Sequence, residues 1–252
     1  MKESRKLLLV FIILFIFIFL PTFASLPVAT NEIMLLIRDV LSQTSIAYSW
    51  LGPLIHVTTI MLFIAVYRYG LKIGRAVDAY FGILFVFFAF SNNIAVTEKY
   101  GLVVITGNLV LILIVGLFWI WEVFRSENVY VFQSLPAWRY WVLPFAILAF
   151  WFPMSSDFSP DFSPLLLLAS SFGVMFCPTA PVAIALLTLI YPRVNVYVLT
   201  VTSFVGFLIG LFNAISLFIM PGYTLWLLIL HTPLIFTSIY GMIITRIVKK
   251  DS

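Results

Sequence analysis

The sequence predicts an all-α fold, a polytopic bundle of about eight helices embedded in a membrane. Of the 252 residues, 63% are hydrophobic and 10% are charged, whereas soluble domains contain about 45 to 50% apolar and about 25% charged residues. The apolar runs, such as residues 7–20, do not alternate with polar residues as the strands of membrane barrels do. Helices are therefore the structure that satisfies the hydrogen bonds of the backbone in lipid.

Residues 1–24 have two interpretations. Charged residues precede a short apolar run and a candidate cleavage site after Ala24, which is the pattern of a signal peptide. The same run extended to Ala29 has about 23 residues, which is enough for a first span. The bundle has seven spans if residues 1–24 are a cleaved signal peptide and eight if they belong to a first span. No soluble insertion interrupts the chain, so residues 1–252 are expected to form a single integral membrane domain.

Residues 31–45 have the pattern of an amphipathic helix lying in the membrane interface. Asn31 is expected to cap its N-terminus. The apolar side contains Ile33, Leu36, Ile37, Val40 and Leu41, and the polar side contains Arg38, Asp39, Ser42 and Ser45.

The remaining predicted spans follow from uninterrupted apolar stretches separated by charged or proline-rich loops. They are residues 51–67, 79–96, 101–124, 140–153, 165–190, 194–219 and 225–245.

The positive charges support this arrangement. With the N-terminus in the cytoplasm, only Arg38 and Lys99 lie outside, and every other lysine and arginine lies inside, as the positive-inside rule requires. The inside set is Lys2, Arg5, Lys6, Arg68, Lys72, Arg75, Arg125, Arg139, Arg193, Arg246, Lys249 and Lys250. The sequence therefore predicts a multi-pass protein of the cell membrane with a cytoplasmic C-terminus.

Several function classes lack their sequence signals. The basic residues are dispersed among loops, so nucleic-acid binding is not predicted. Cys177 is the only cysteine, which excludes an intrachain disulfide and a multi-cysteine metal site. No phosphate-binding glycine loop or zinc-protease motif occurs, and no acidic or basic residue lies in the middle of a predicted span. Enzymatic activity and ion-coupled transport are therefore not favoured.

The predicted span 165–190 contains two prolines near its centre. Pro178 and Pro181 cannot donate hydrogen bonds to the carbonyls of Val174 and Cys177. Such freed carbonyls form substrate sites in many transporters, although a proline kink packed against neighbouring helices would also explain them. We expect the segment to cross the membrane with a kink.

The same segment resembles a family of prokaryotic multi-pass membrane proteins of unknown function with the signature Phe-Gly-Val-Thr-Pro-Cys-Pro-Thr. Phe172, Gly173, Val174, Cys177, Pro178 and Thr179 match it, and Met175 and Phe176 replace the central Thr-Pro. The resemblance implies a helical membrane fold and no particular substrate.

Polar residues of several spans share one depth. At 1.5 Å per residue, they lie roughly 8 to 10 Å below the outer ends of their spans. If they converge, they would line a polar pocket open to the outside. The resulting candidate ligand-binding residues are His56, Asn108, Ser170, Ser171, Cys177, Pro178, Thr179, Asn213 and His231.

Several polar residues, Asn213 among them, also have simpler interpretations. Asn92 and Asn93 are expected to cap a span at the interface, and Asn213 to bond to a neighbouring helix. Glu122 is expected to be an interfacial charge beside Arg125. Asp157 and Asp161 repeat in a Ser-Pro loop and are expected to form turns and not a cation site.

Three functions remain open. The first is binding or passage of a small neutral solute through the outward-facing pocket, and the second is a structural subunit that associates with copies of itself or with other membrane proteins. The third is a membrane anchor that binds haem non-covalently through His56 and His231. No other cofactor and no metal is predicted.

Overall fold

The computed structural model describes residues 2–132, 135–155, 158–219 and 223–247. Within these ranges the chain is mostly helical, with α1 Lys2–Phe17, α2 Ile33–Tyr48, α3 Gly52–Tyr69, α4 Gly74–Ser91, α5 Thr106–Arg125, α6 Val142–Trp151, α7 Leu166–Ala169, α8 Phe176–Ile190, α9 Val196–Ile219 and α10 Leu225–Ile247. Three short strands, β1 Phe23–Ala24, β2 Ile94–Thr97 and β3 Gly101–Val104, form an antiparallel sheet in the order β1-β3-β2. The all-α prediction is corrected by this small sheet.

The helices fit a membrane protein. Among the described residues, four helical stretches are long and apolar enough to cross a bilayer: Ile33–Ser91, Thr106–Arg125, Val196–Ile219 and Leu225–Thr245. The first of these contains α2, α3 and α4. The predicted inside residues Lys249 and Lys250 lie outside the described residues.

The sheet replaces the ends of two predicted spans. Residues 94–96 and 101–104 were expected to be helical, but α4 ends at Ser91 and α5 begins at Thr106. Both stretches are rich in β-branched residues, which fit a pleated strand better than a helix. Strands β2 and β3 pair from Ile94 with Val104 to Thr97 with Gly101, and β1 adds to the other edge of β3.

Helix α2 packs on this sheet. Leu36 and Val40, predicted on its apolar side, are buried in a small core with Tyr100 and Val103. Ser45 was expected on the exposed polar side of α2, but it is buried. The prediction is corrected, because this side of α2 is covered as well.

The start of α2 also differs from the prediction. Asn31 does not cap the helix: it lies in a 3-10 turn, and Glu32 is the N-cap residue, without a capping side-chain bond.

Helix α8 lies at the centre of the bundle. Every residue of α8 except Cys177 is buried. Helices α4, α6, α9 and α10 pack around it. An apolar helix without a polar face is stable only when it is enclosed, and the sequence of α8 has that composition.

Glycines allow the neighbouring helices to approach closely. A Cβ at Gly116 of α5 would lie 2.8 Å from the backbone nitrogen of Val86 in α4. A Cβ at Gly206 of α9 would lie 2.5 Å from the hydroxyl of Ser238 in α10. Small residues have this role in membrane helix pairs, where close backbone approach provides the packing energy.

The bundle has two chemically different ends. We call the end with the β-strands, where α4 ends and α5 begins, the sheet end. The opposite end, called the arginine end, carries Arg75, Arg125, Arg139 and Arg193 at helix ends and in the turns that connect the helices. Side-chain bonds connect α5 with α9 on this side of the bundle, from Trp119 to Thr202 at 2.9 Å and from Asn195 to Glu122 at 2.7 Å.

Glu122 is not the interfacial charge that the sequence suggested. Its side chain is fully buried, and Arg125 pairs with Glu127 instead. Glu122 accepts hydrogen bonds from backbone and side-chain N–H groups at the arginine end.

The glycine contact between α4 and α5 can be tested by substitution. Gly116→Leu would place atoms against the backbone of α4, so we expect a loss of stability of about 1–3 kcal/mol. Thermal unfolding of the purified protein in detergent measures this loss. The matched control is Leu117→Val, because Leu117 is adjacent in α5 and 54% exposed. Equal unfolding temperatures for the two variants would contradict the observed packing.

Candidate functional site

The candidate site is organised by a break in the chain before α8. Helix α7 ends at Ala169, and α8 begins only after its N-cap residue Met175. Gly173, in the irregular stretch between them, has φ +75°, and a side chain there would collide with Ile55. Glycine is required at such a position. The predicted kinked span over residues 165–190 is therefore corrected to two helices separated by an irregular stretch.

Polar side chains bind the backbone of this stretch. The amide of Asn92 donates to the carbonyl of Val174 at 3.0 Å, and its oxygen accepts from the N–H of Phe176 at 3.2 Å. The hydroxyl of Thr179 accepts from the N–H of Gly173 and donates to the carbonyl of Met175, both at 2.8 Å. Irregular backbone is tolerated inside a membrane when protein groups satisfy it in this way.

The two prolines have different roles from those expected. Pro178 lies in the first turn of α8, where backbone N–H groups have no intrahelical partner, so it costs no helical hydrogen bond. Pro181 lies inside the helix and leaves the carbonyl of Cys177 without its usual donor. The Val174 carbonyl, which the sequence suggested would be free, accepts from Asn92.

His56 and Ser170 form a packed polar pair beside the break. The Nδ1 atom of His56 lies 2.7 Å from the carbonyl of Gly52 and Nε2 lies 3.1 Å from the hydroxyl of Ser170. The Ser170 hydroxyl also lies 3.0 Å from the carbonyl of Phe150. Both side chains are buried. The pair connects α3, the end of α6 and the irregular stretch, which is a structural arrangement.

Next to the break is a cavity of about 120 Å³ at the sheet end. Five of the nine residues predicted for ligand binding line it, and they come from α5, α8, α9 and α10: Asn108, Cys177, Pro178, Asn213 and His231. The volume is sufficient for a small solute. Most of the remaining wall consists of aliphatic, methionine and phenylalanine side chains, as is typical of small-molecule sites.

The wall amides that come from α5 and α9 have different partners. Within the described part of the chain, the side-chain amide of Asn108 makes no hydrogen bond. The amide of Asn213 donates to the carbonyl of Ile209 in its own helix at 2.9 Å, so the predicted bond to a neighbouring helix is wrong.

His231, which lines the cavity, has one ring nitrogen that can accept a hydrogen bond. Its Nδ1 atom lies 2.6 Å from the carbonyl of Leu227 and therefore carries the proton, which leaves Nε2 as the acceptor. Burial raises the pKa of Tyr223, which precedes α10 and also lines the cavity. Its hydroxyl therefore stays neutral and can donate to a ligand.

Helix α2 covers one side of the cavity. Met34, Ile37 and Leu41 contribute apolar contacts, and Arg38 also lines the cavity. The Arg38 guanidinium lies 5.5 Å from the ring centre of Phe158, a cation–π contact. The amphipathic helix predicted for the interface thus forms part of the wall.

Four predicted site residues do not line the cavity. His56, Ser170 and Thr179 bond to backbone around the break, and the carbonyl of Ser171 accepts from the N–H groups that follow it.

Since His231 lines the cavity and His56 does not, the two histidines lie in different environments. Haem binding by this pair stays a prediction. Among the described residues, no group of three or more His, Cys, Asp or Glu side chains could hold a metal ion.

Sequence reasoning missed Asn92, whose two bonds connect α4 to the start of α8. The expected cap is confirmed for Asn93, which donates to the carbonyls of Phe88 and Ala89. The signal in the sequence was an adjacent pair of asparagines at the end of a predicted span. The sequence does not show which of the two contacts the start of α8. Asp161 accepts from the N–H of Ser163 in a turn, and Asp157 lies outside the described residues.

Comparisons with protein-family models, with curated proteins and with solved structures find no match to this chain. The resemblance of residues 172–179 to a prokaryotic membrane family therefore stays a prediction.

The role of Asn92 leads to a testable prediction. Asn92→Ala would leave the carbonyl of Val174 and the N–H of Phe176 buried without partners, so we expect a loss of stability of about 1–3 kcal/mol. Unfolding in detergent measures it. Asn31→Ala is the matched control, because Asn31 is exposed. An Asn92→Ala variant as stable as Asn31→Ala would show that these bonds do not hold the break.

Proposed function

We propose that the chain is a multi-pass protein of the cell membrane that binds a small neutral solute in the cavity beside Cys177 and passes it inward. The observation that carries the proposal is the convergence of Asn108, Asn213 and His231, from three helices, on one apolar cavity at the break. Hydrogen-bonding groups in an apolar wall bind and orient small molecules.

The arrangement of helices supports about eight spans. The proposed spans are α1, α3, α4, α5, α6, α8, α9 and α10. Helices α6 and α8 are short, but the 3-10 turn Ala137–Trp141 and the irregular stretch before α8 extend them. If residues 1–24 are removed as a signal peptide, seven spans remain.

The charges support an orientation with the sheet end outside and the C-terminus in the cytoplasm. Arginines gather in the turns of the opposite end, as the positive-inside rule requires for a cytoplasmic face. In this orientation the cavity faces outward.

The character of the wall favours a neutral solute. Among the described wall residues Arg38 is the charged one, its guanidinium contacts the ring of Phe158, and the other polar groups are amides, hydroxyls and an imidazole. An ionic ligand would need a compensating charge near the bottom of the cavity, since buried unpaired charges are costly.

Labelling of the single cysteine tests whether water reaches the cavity from outside. Cys177 is half-buried and lines the wall. We expect a small, charged, membrane-impermeant thiosulfonate, added to sealed right-side-out vesicles, to modify Cys177, with intact mass as the readout. Asn213→Phe should fill the cavity and slow the modification by about tenfold or more.

The control for this experiment is Leu211→Phe. Leu211 lies on the same helix with 41% of its surface exposed and does not line the cavity, so its rate should stay within about twofold of the wild type. Absence of labelling in the native protein, with full labelling after denaturation, would overturn the proposal. That result would favour a structural subunit of a membrane complex.

A further inference from the structure

A second cluster of polar residues is buried at the arginine end, far from the cavity along the helices. We call it the carboxyl cluster. Its members are Asp78 of α4, Glu122 of α5, Asn128 and Tyr130 of the segment after α5, and Asn195 just before α9. None is more than 6% exposed. Two carboxyl groups in one buried cluster are costly unless their charges are compensated or removed.

Glu122 has the partners of an ionised carboxylate. Its Oε1 atom accepts from the backbone N–H groups of Glu127 and Asn128, and its Oε2 atom accepts from the side-chain amide of Asn195 at 2.7 Å. Both oxygens are therefore bound by N–H donors, which stabilise the charged form.

Asp78 has a different set of partners. Its Oδ1 atom accepts from the hydroxyl of Tyr130 at 2.6 Å and from the amide of Asn128 at 2.8 Å. Its Oδ2 atom is buried and has no partner in the described part of the chain. The titratable groups that face Asp78 are Glu122 from α5 and Tyr130 from the following segment, and neither supplies a positive charge.

The basic residues nearest in sequence are engaged elsewhere. Arg75 donates to the hydroxyl of Ser126, and Arg125 pairs with Glu127. An ionised Asp78 would thus have one bare oxygen in a buried site and a second negative charge across Asn128. A proton on Oδ2 removes both costs.

We propose that Asp78 is a proton-binding site, in which Oδ2 carries an exchangeable proton while Glu122 stays ionised. On release, the O–H bond breaks, the electron pair stays on Oδ2 and the proton passes to water at the arginine end. Arg75 and Glu127 on either side of the cluster are exposed, which gives the proton a short path.

Tyr130 keeps its own proton in this exchange. Burial and the neighbouring carboxyl of Asp78 raise the pKa of Tyr130 well above its usual value. Its hydroxyl therefore remains a donor to Oδ1 in both states of Asp78. Release of the proton places like charges on both sides of Asn128, which joins the segment after α5 to α4 and α9.

Infrared spectroscopy tests the site directly, because a protonated carboxyl has a C=O stretching band that a carboxylate lacks. The chain has only ten Asp and Glu residues, so one protonated group is resolvable. For the purified full chain in detergent at neutral pH, we expect one such band that shifts in D2O and disappears at alkaline pH. Asp78→Asn should remove it, and Asp161→Asn, in an external turn, should retain it.

Two further variants keep the test decisive if Asp78→Asn does not fold. Tyr130→Phe removes a bond to Oδ1 and should shift the band to higher frequency. Glu122→Gln removes the like charge and should let the band disappear at lower pH than in the wild type. The proposal is overturned if no protonated-carboxyl band exists at neutral pH, if Glu122→Gln removes it while Asp78→Asn does not, or if Tyr130→Phe leaves its frequency unchanged. None of these results bears on solute binding at the sheet end.

Discussion

The need to satisfy backbone groups inside an apolar bundle governs this structure. Helix α8 is enclosed on all sides, and both of its ends are buried. Its start is held by Asn92 and Thr179, which bind the irregular stretch before it. Its end is held by Arg139, a buried guanidinium that donates to the carbonyls of Thr188 and Tyr191. A positive group at a helix C-terminus also interacts favourably with the helix dipole. Side chains from the C-terminal cap of α4 and from the 3-10 turn before α6 thus replace the water that the ends of a soluble helix would have.

The break that these contacts stabilise also creates the cavity. Because the chain is not helical between α7 and α8, Cys177 and Pro178 face open space where a continuous helix would pack. The neutral cavity at the sheet end and the carboxyl cluster at the arginine end are built from the same helices, α4, α5 and α9, at their opposite ends. The two ends differ because hydroxyls and amides suffice to bind backbone at the break, whereas α4 and α5 carry buried carboxyls at the arginine end. The charge of these carboxyls must be compensated by hydrogen-bond donors or removed by a proton.

Much of the helical framework could be predicted because apolar runs of about 20 residues have few alternatives in lipid. The ranges of α3, α9 and α10 were predicted to within a few residues. The sequence could also group Asn108, Asn213 and His231 by expected depth, because depth depends only on the rise per residue, and the structure brings the three to one cavity. The direction of each side chain around its helix was not predictable, which is why Ser170, Thr179 and His56 were grouped with the cavity although they bind backbone elsewhere.

The sequence by itself determined that this is a helical membrane protein, the approximate ranges of its helices and the concentration of positive charge in one set of loops. It also determined that residues 172–181 differ from an ordinary apolar span. Tertiary structure decided that this segment breaks instead of bending, that Asn92 holds the break, and that Glu122 and Asp78 are buried together. The physical reason is that hydropathy and helical rise are properties of consecutive residues and can be read from the sequence alone. Hydrogen bonds between α4 and the segment around Val174, or between α5 and Asn195, depend on contacts across many residues, which no local pattern specifies.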